Sequence, residues 1–281
     1  MDEPRKDPAP LVRLILAHLA LLILLLLAGF LYARTGFGGG LWEETAIRVV
    51  FSAAMIFCLY TISGTEHLKW KKGAVKTALK MCAALLIFAG AVTCLSLTAP
   101  DRGKPASVTD GLLPGTLFCL TVGIFEETAY RAVIYDGIGG FLNHGRKTYT
   151  VSAIVTFFVF GVSHVLNELT DPAMYADPAL LLQMALKIVQ TGIIGLIMML
   201  IYARTGTVWA PAAAHALYDL LLSLPQLLTE AGVSMEYVST ENAAEGINSY
   251  ILMSLIELWV YLALRRKYLP EIRTRLLTGE K

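Results

Sequence analysis

The chain has 281 residues, 56% of them hydrophobic and only 16% charged, and its mean hydropathy is +0.61. A soluble domain carries about a quarter charged residues, and the apolar residues here come in long blocks, so the composition excludes an ordinary soluble domain and indicates a polytopic membrane protein. A net charge of +1 offers no electrostatic footprint for a nucleic acid.

Met1–Pro10 is polar, rich in proline, and reads as a disordered N-terminus. Eight apolar runs of helical length follow, at about 11–33, 46–63, 75–98, 110–135, 150–168, 180–203, 207–224 and 249–264. The second, seventh and eighth are short for a bilayer that needs ~20 residues. The expected fold is all-α: a transmembrane bundle of about eight helices. It divides into N-terminal helices over 11–109, a core over 110–224, an acidic outer loop over 225–248, and a last span with a basic tail over 249–281. The first run is too long for a signal-peptide core and lacks a small-residue cleavage site, so it reads as a retained span. Cys58, Cys82, Cys94 and Cys119 lie inside apolar runs, without CxxC spacing, and read as small buried residues.

Lys and Arg set an orientation. They cluster before the first run (Arg5, Lys6, Arg13), after the second (Lys69, Lys71, Lys72), after the fourth (Arg146, Lys147), after the sixth (Arg204) and after the eighth (Arg265, Arg266, Lys267). The stretches 167–179 and 225–248 contain none and are acidic. Both termini are therefore expected in the cytoplasm, with Arg34, Arg102 and Lys104 as exceptions on the outer side. Pro225 is a plausible stop for the seventh helix. Gly137, Gly139 and Gly140 suggest that the fourth ends irregularly.

Charged residues inside the runs need a reason, because each costs roughly 2.5–3.5 kcal/mol at mid-bilayer. The fourth run holds Glu126-Glu127-Thr128-Ala129-Tyr130-Arg131. On a helix Glu127 and Arg131 share a face and neutralise each other, while Glu126 is rotated away by about 100° and faces something else. The plain reading is a structural ion pair between helices. The functional one is a general base with a charge-paired neighbour, in the low-dielectric setting where catalytic carboxylates are tuned. His164 lies late in the fifth run, one turn after Phe160, which reads as packing. His215 and Asp219 share a face of the seventh. Around them Ala212, Ala213, Ala214 and Ala216 allow another helix to come close. Glu43-Glu44-Thr45-Ala46-Ile47-Arg48 nearly repeats the first motif, but at a glycine-rich helix start where carboxylates are favoured. His18 and Glu257 read as packing partners across helices, Lys187 as a snorkelling cation, and His67 and His144 as loop residues.

With these residues in view, the chain resembles the CAAX-protease and bacteriocin-processing family, also called the Abi family. Its signature is two glutamates, three residues and an arginine; then Phe-x-x-x-His; then His-x-x-x-Asn or Asp. Here these are Glu126–Arg131, Phe160–His164 and His215–Asp219, in order, each in its own run, within about 110–224. The resemblance implies an intramembrane endopeptidase acting on a membrane-embedded or lipidated protein or peptide, an integral multi-pass protein of a bacterial cell membrane with lipid as its other partner. It further implies that Glu126 takes the proton of a water held by His164, and that Glu127, with Glu127 also the alternative base, pairs with Arg131. His215 and Asp219 would then face the carbonyl oxygen. An ionised Asp cannot donate a hydrogen bond and would repel an oxyanion. Asp219 must therefore be protonated, or orient His215, or bind metal. No cofactor is the favoured reading. A divalent metal such as zinc on Glu126, His164, His215 and Asp219 is the alternative, although there is no HExxH pattern. Two other classes remain open: a proton or ion relay in a transporter, and a scaffold or immunity protein without catalysis. Depth sets a difficulty for all catalytic readings, because Glu126 is ~13 Å from the inner end of its run and His164 ~21 Å from its own at 1.5 Å per residue.

Overall fold

The computed structural model describes residues 8–98, 107–145, 147–229, 238 and 242–278, which are helical throughout their ordered elements, without strands. α1 (Ala9–Thr35) carries Pro10 in its first turn and stops at Gly36, whose left-handed φ of 71° lets its N–H donate to the Tyr32 carbonyl. Proline suits a first turn, so Ala9 and Pro10 are helical rather than disordered; residues 1–7 lie outside the described residues. α2 (Leu41–Ser63) starts at the second diglutamate, where Glu43 Oε2 accepts from the Gly38 and Gly40 amides at 2.7 and 3.4 Å. That motif is a helix start. The third run, expected as one helix, is α3 (Ala74–Met81) and α4 (Ala83–Leu97), bent by 64° at Cys82. Both halves pack on the seventh-run helix, and the bend keeps them there.

The fourth run is one 34-residue helix over Val108–Phe141. It contains a π-helical start at Val108–Leu112, α5 (Leu113–Glu127), a π-helical segment at Thr128–Val133, and α6 (Ile134–Phe141). It runs through its glycines and ends irregularly just past them, with Asn143 and His144 at left-handed φ of 52° and 49°. Those glycines receive α1: a Cβ on Gly137 or Gly140 would meet Leu14 or Pro10 at 2.7 Å. α7 (Thr148–Ser163) follows, then the short α8 (Leu166–Leu169), the long α9 (Pro178–Thr205), α10 (Trp209–Leu227) and α11 (Ala243–Thr278). Asp177 caps α9 by accepting from the Ala179 amide at 2.8 Å, and Gly206 closes it with φ 61°.

All eight apolar runs are helical, but among the described residues five helices are long and apolar enough to cross a membrane, six if α3 and α4 form one span, against the eight expected. The difference lies in α7, which is apolar but only 16 residues long, and in α10, whose apolar character is diluted by His215, Asp219, Gln226 and two prolines. α9 is the central helix, with every residue from Ile197 to Tyr202 buried. α11 and α7 pack along it, α10 and the Val108–Phe141 helix pack together, and α1 and α2 close the far side. α1 turns Leu16, Leu19, Ile23 and Leu26 outward, as a lipid-facing helix does. Cys82 and Cys119 are buried, Cys58 partly so, and Cys94 is exposed on the outer apolar surface rather than buried.

Pro225 does not stop α10. It lies inside the last turn and, having no N–H, leaves the Leu221 carbonyl without its intrahelical donor. The Thr93 hydroxyl of α4 donates to that carbonyl. Of the acidic loop, residues 230–237 and 239–241 lie outside the described residues, as do Arg102, Lys104 and Arg146; Val238 is buried against Val165 and Met174. The basic tail is a continuation of α11. It packs on the end of α9, with Arg204 Nε 3.3 Å from Glu271 Oε2 and Arg275 Nη1 donating to the Arg204 carbonyl at 2.9 Å.

Candidate active site

Small residues bring the first and third motifs together. A Cβ on Gly123 would lie 2.6 Å from the Ala212 carbonyl oxygen and 3.1 Å from the Ala216 Cβ. α5 and α10 therefore touch backbone to backbone, as the alanines predicted. One turn further along each helix, Glu126 and Glu127 meet His215. His215 Nδ1 is 2.7 Å from Glu127 Oε1. Its Nε2 is 3.7 Å from Glu126 Oε2 and 3.4 Å from Asp219 Oδ2. A carboxylate only accepts, so the Nδ1–H donates to Glu127 and fixes the ring. A lone pair on Nε2 would then face two carboxylates. The cluster must hold one further proton, on Nε2 or on one of those two carboxyls. Asp219 Oδ2 faces His215 Nε2, a placement that suits an orienting carboxylate and a protonated Asp219 alike.

Glu127 also meets Arg131, Oε2 to Nε at 3.3 Å, as the spacing predicted. The contact is an ion pair without hydrogen-bond alignment. The wider π turn over Thr128–Val133 carries Arg131 round the axis, where its Nη1 donates to the Glu126 carbonyl at 3.5 Å and its guanidinium covers the Phe160 ring at 3.8 Å. The π segment is held by α7, whose Thr156 hydroxyl donates to the Tyr130 carbonyl at 2.7 Å.

Phe160 is the hub rather than plain packing. Its ring centroid lies 4.4 Å from that of His164 and 6.2 Å from that of His215. His164 caps α7, with Nδ1 2.9 Å from the Phe160 carbonyl. A carbonyl only accepts, so Nδ1 carries the hydrogen, and in the neutral ring Nε2 is the acceptor. The depth difficulty disappears because the fourth helix runs on to Phe141. Glu126 is fifteen residues from that end, and His164 sixteen from the start of α7. Three motifs in three helices thus converge on one aromatic ring.

The six residues divide by access. Glu127 and Arg131 are 0% exposed and His215 is buried. The side chains of Glu126 and Asp219 are 14% and 29% exposed, and His164 is part-buried. A fully buried set thus backs a partly exposed one. Among the described residues, no group of three or more His, Cys, Asp or Glu side chains has the mutual placement of a metal set. A separate cavity of about 240 Å³ between α7, α9 and α11, lined by Tyr149, Phe157, Tyr261 and Arg265 among others, contains none of these residues.

Sequence reasoning missed four neighbours. Lys187 does not snorkel. It is buried, 9% exposed, and its Nζ donates to Gln190 Oε1 at 3.3 Å. Gln190 Nε2 donates to Glu257 Oε1 at 2.6 Å, and the Tyr218 hydroxyl donates to the same oxygen at 3.3 Å. Glu257 is a packing partner across helices, as expected, but Gln190 and Tyr218 gave no signal beyond their helical spacing from Lys187 and His215. Arg48, set aside with the helix-start motif, has its guanidinium 5.7 Å from the Phe125 ring and acts electrostatically on Glu126. His67 belongs to a distant cluster, Nε2 3.7 Å from the buried Asp136, which also accepts from the Tyr202 hydroxyl at 3.1 Å.

Residues 108–221 match the family model described as type II CAAX prenyl endopeptidase Rce1-like. The match begins at the π-helical start of the fourth helix and takes in all three motifs. It supports the CAAX-protease family, and with it a CAAX-type intramembrane endopeptidase acting on a membrane-associated peptide substrate. The apolar helices agree with an integral membrane protein. No curated protein and no solved structure matches the chain.

Proposed function

We propose that this chain, whose Rce1-like segment supports the CAAX-protease family, is an intramembrane endopeptidase in which Glu126 activates a water. The single observation that carries the proposal is the division of access. Two carboxylates bracket the same His215 ring; Glu126 is partly exposed and its Oε2 has no hydrogen-bond partner among the described residues, while Glu127 is fully buried against Arg131 and His215.

In this reading the water lies between Glu126 and His164, whose Nε2 accepts one of its hydrogens. Glu126 takes the other proton as the water oxygen attacks the peptide carbonyl carbon. The C=O π pair moves to oxygen, and the oxyanion accepts from His215 Nε2–H. The C–N bond then breaks, with Glu126 returning its proton to the leaving nitrogen. With Nδ1–H on Glu127 and Nε2–H on the oxyanion, His215 acts as the imidazolium; Glu127 holds it in place, and Arg131 balances the Glu127 charge. The Lys and Arg distribution supports cytoplasmic termini.

The test is purification in detergent, incubation with a peptide library, and comparison of wild type with Glu126→Gln and His164→Ala. General acid–base catalysis contributes about 10²–10⁴-fold, so Glu126→Gln should lose that much cleavage while remaining inserted and folded. Cleavage within threefold of wild type in Glu126→Gln refutes the role. A scaffold or an ion relay yields no cleavage products sensitive to either substitution.

A further inference from the structure

We infer that Lys187 is a positioning cation of this site, held beside His164 and Asp219 by a Gln190–Glu257 strut, and that it offsets the charge of Asp219. The inference rests on the endopeptidase reading above.

The strut is continuous. Lys187 donates to Gln190 at 3.3 Å and Gln190 to Glu257 at 2.6 Å. Glu257 is 0% exposed, on α11, outside the matched segment. Its Oε1 also accepts from Tyr218, the neighbour of Asp219 on α10, so one buried carboxylate ties three helices at the level of the site. Lys187 is brought to His164 by α7–α9 packing: a Cβ on Gly161 would lie 2.5 Å from the Ile188 carbonyl, and Gly161 is three residues before His164. The ammonium interacts electrostatically with Glu257, Asp219, Glu126 and Glu168 and with His164, and it lies 5.3 Å from the Tyr250 ring centroid.

A buried ammonium with a dedicated strut is costly unless it is used. Its use follows from the charge of Asp219, which an oxyanion at His215 would otherwise meet as a repulsion. Near the site Glu126, Glu127, Asp219 and Glu257 are balanced by Arg48, Arg131, Lys187 and the one further proton of the His215 cluster. Removing Lys187 leaves one negative charge in excess, on the side of Asp219. An amide in place of Asp219 would need no such compensation.

Cleavage of the library peptide that wild type cuts best tests this, with Lys187→Met, Asp219→Asn, the double substitution, and Gln190→Leu. Lys187→Met should lower kcat roughly 10- to 100-fold with little change in KM, the scale of one charge-assisted contact. Asp219→Asn should restore most of that loss in the double variant, and Gln190→Leu should give a smaller loss of the same kind. A merely structural lysine predicts no rescue by Asp219→Asn, and that result overturns the inference. So does wild-type kcat in Lys187→Met. If Lys187→Met does not fold, Gln190→Leu alone decides: unchanged kcat overturns the proposal, and a loss rescued by Asp219→Asn supports it. Glu126→Gln in each background keeps the two ideas apart. If cleavage survives it, the endopeptidase reading fails. If cleavage is abolished by it while Lys187→Met is fully active, only the present inference fails.

Discussion

Gly123→Ala adds one methyl where α5 and α10 touch. The new Cβ would lie 2.6 Å from the Ala212 carbonyl oxygen, whereas ordinary contact begins at 3.4 Å, so the helices must part by about 0.8 Å. The obstacle is backbone and cannot rotate aside. Overpacking of this kind costs about 1–3 kcal/mol. The functional cost is larger, because His215 and Glu126 sit one turn beyond the contact and separate with it. A misplacement near 1 Å can cost about 10²-fold in rate. Two controls isolate the effect. Gly115→Ala meets the buried Leu227 side chain, Cγ included, rather than backbone, and a Cβ on Gly90 meets nothing within 4 Å. Gly90→Ala should melt at or above the wild-type temperature, since helix interiors favour Ala over Gly by about 0.5–1 kcal/mol. Cleavage rate and melting temperature are measured for all three in detergent. A Gly123→Ala protein cleaving at the wild-type rate would show that the α5–α10 contact does not set the catalytic geometry.

Glu127→Gln should behave unlike Glu126→Gln. It leaves Arg131 buried beside a neutral amide, and breaking a buried pair costs about 3–5 kcal/mol, so a marked fall in melting temperature is expected; an unchanged melt contradicts a sealed structural role for the pair. Cleavage should persist in the presence of a strong divalent-metal chelator, and activity lost to chelation and restored by zinc overturns the metal-free base.

The helices were legible because their signals are local. Hydropathy marked the runs, and the Glu126/Glu127/Arg131 and His215/Asp219 spacings correctly paired residues along one helix. The alanines around His215 even announced a close neighbour, since small residues have that meaning whatever the partner is. What failed depended on two helices at once. The π segment at Thr128–Val133 has no glycine or proline to mark it, and its Tyr130 carbonyl is met by Thr156 of α7, 26 residues away. Pro225 looked like a stop, because its own sequence shows the missing N–H and cannot show Thr93 on α4 taking the freed Leu221 carbonyl.

Lys187 illustrates the same limit with a charge. On an isolated helix a lysine at membrane depth lowers its energy by reaching for the headgroups. Here the nearest end of α9 is nine residues away, about 14 Å at 1.5 Å per residue. A local alternative outweighs that reach only if the interior offers polar partners, and those come from Gln190 on the same helix and Glu257 on α11, 70 residues further along the chain. The pairing cannot be read from either run alone, because nothing in the sequence says that α11 returns to α9 rather than to α1. Once it does, the ammonium, the amide and the carboxylate satisfy one another. A residue that read as a snorkelling cation then becomes a buried one that acts electrostatically on Asp219, and the Asp219→Asn rescue of Lys187→Met measures that dependence directly.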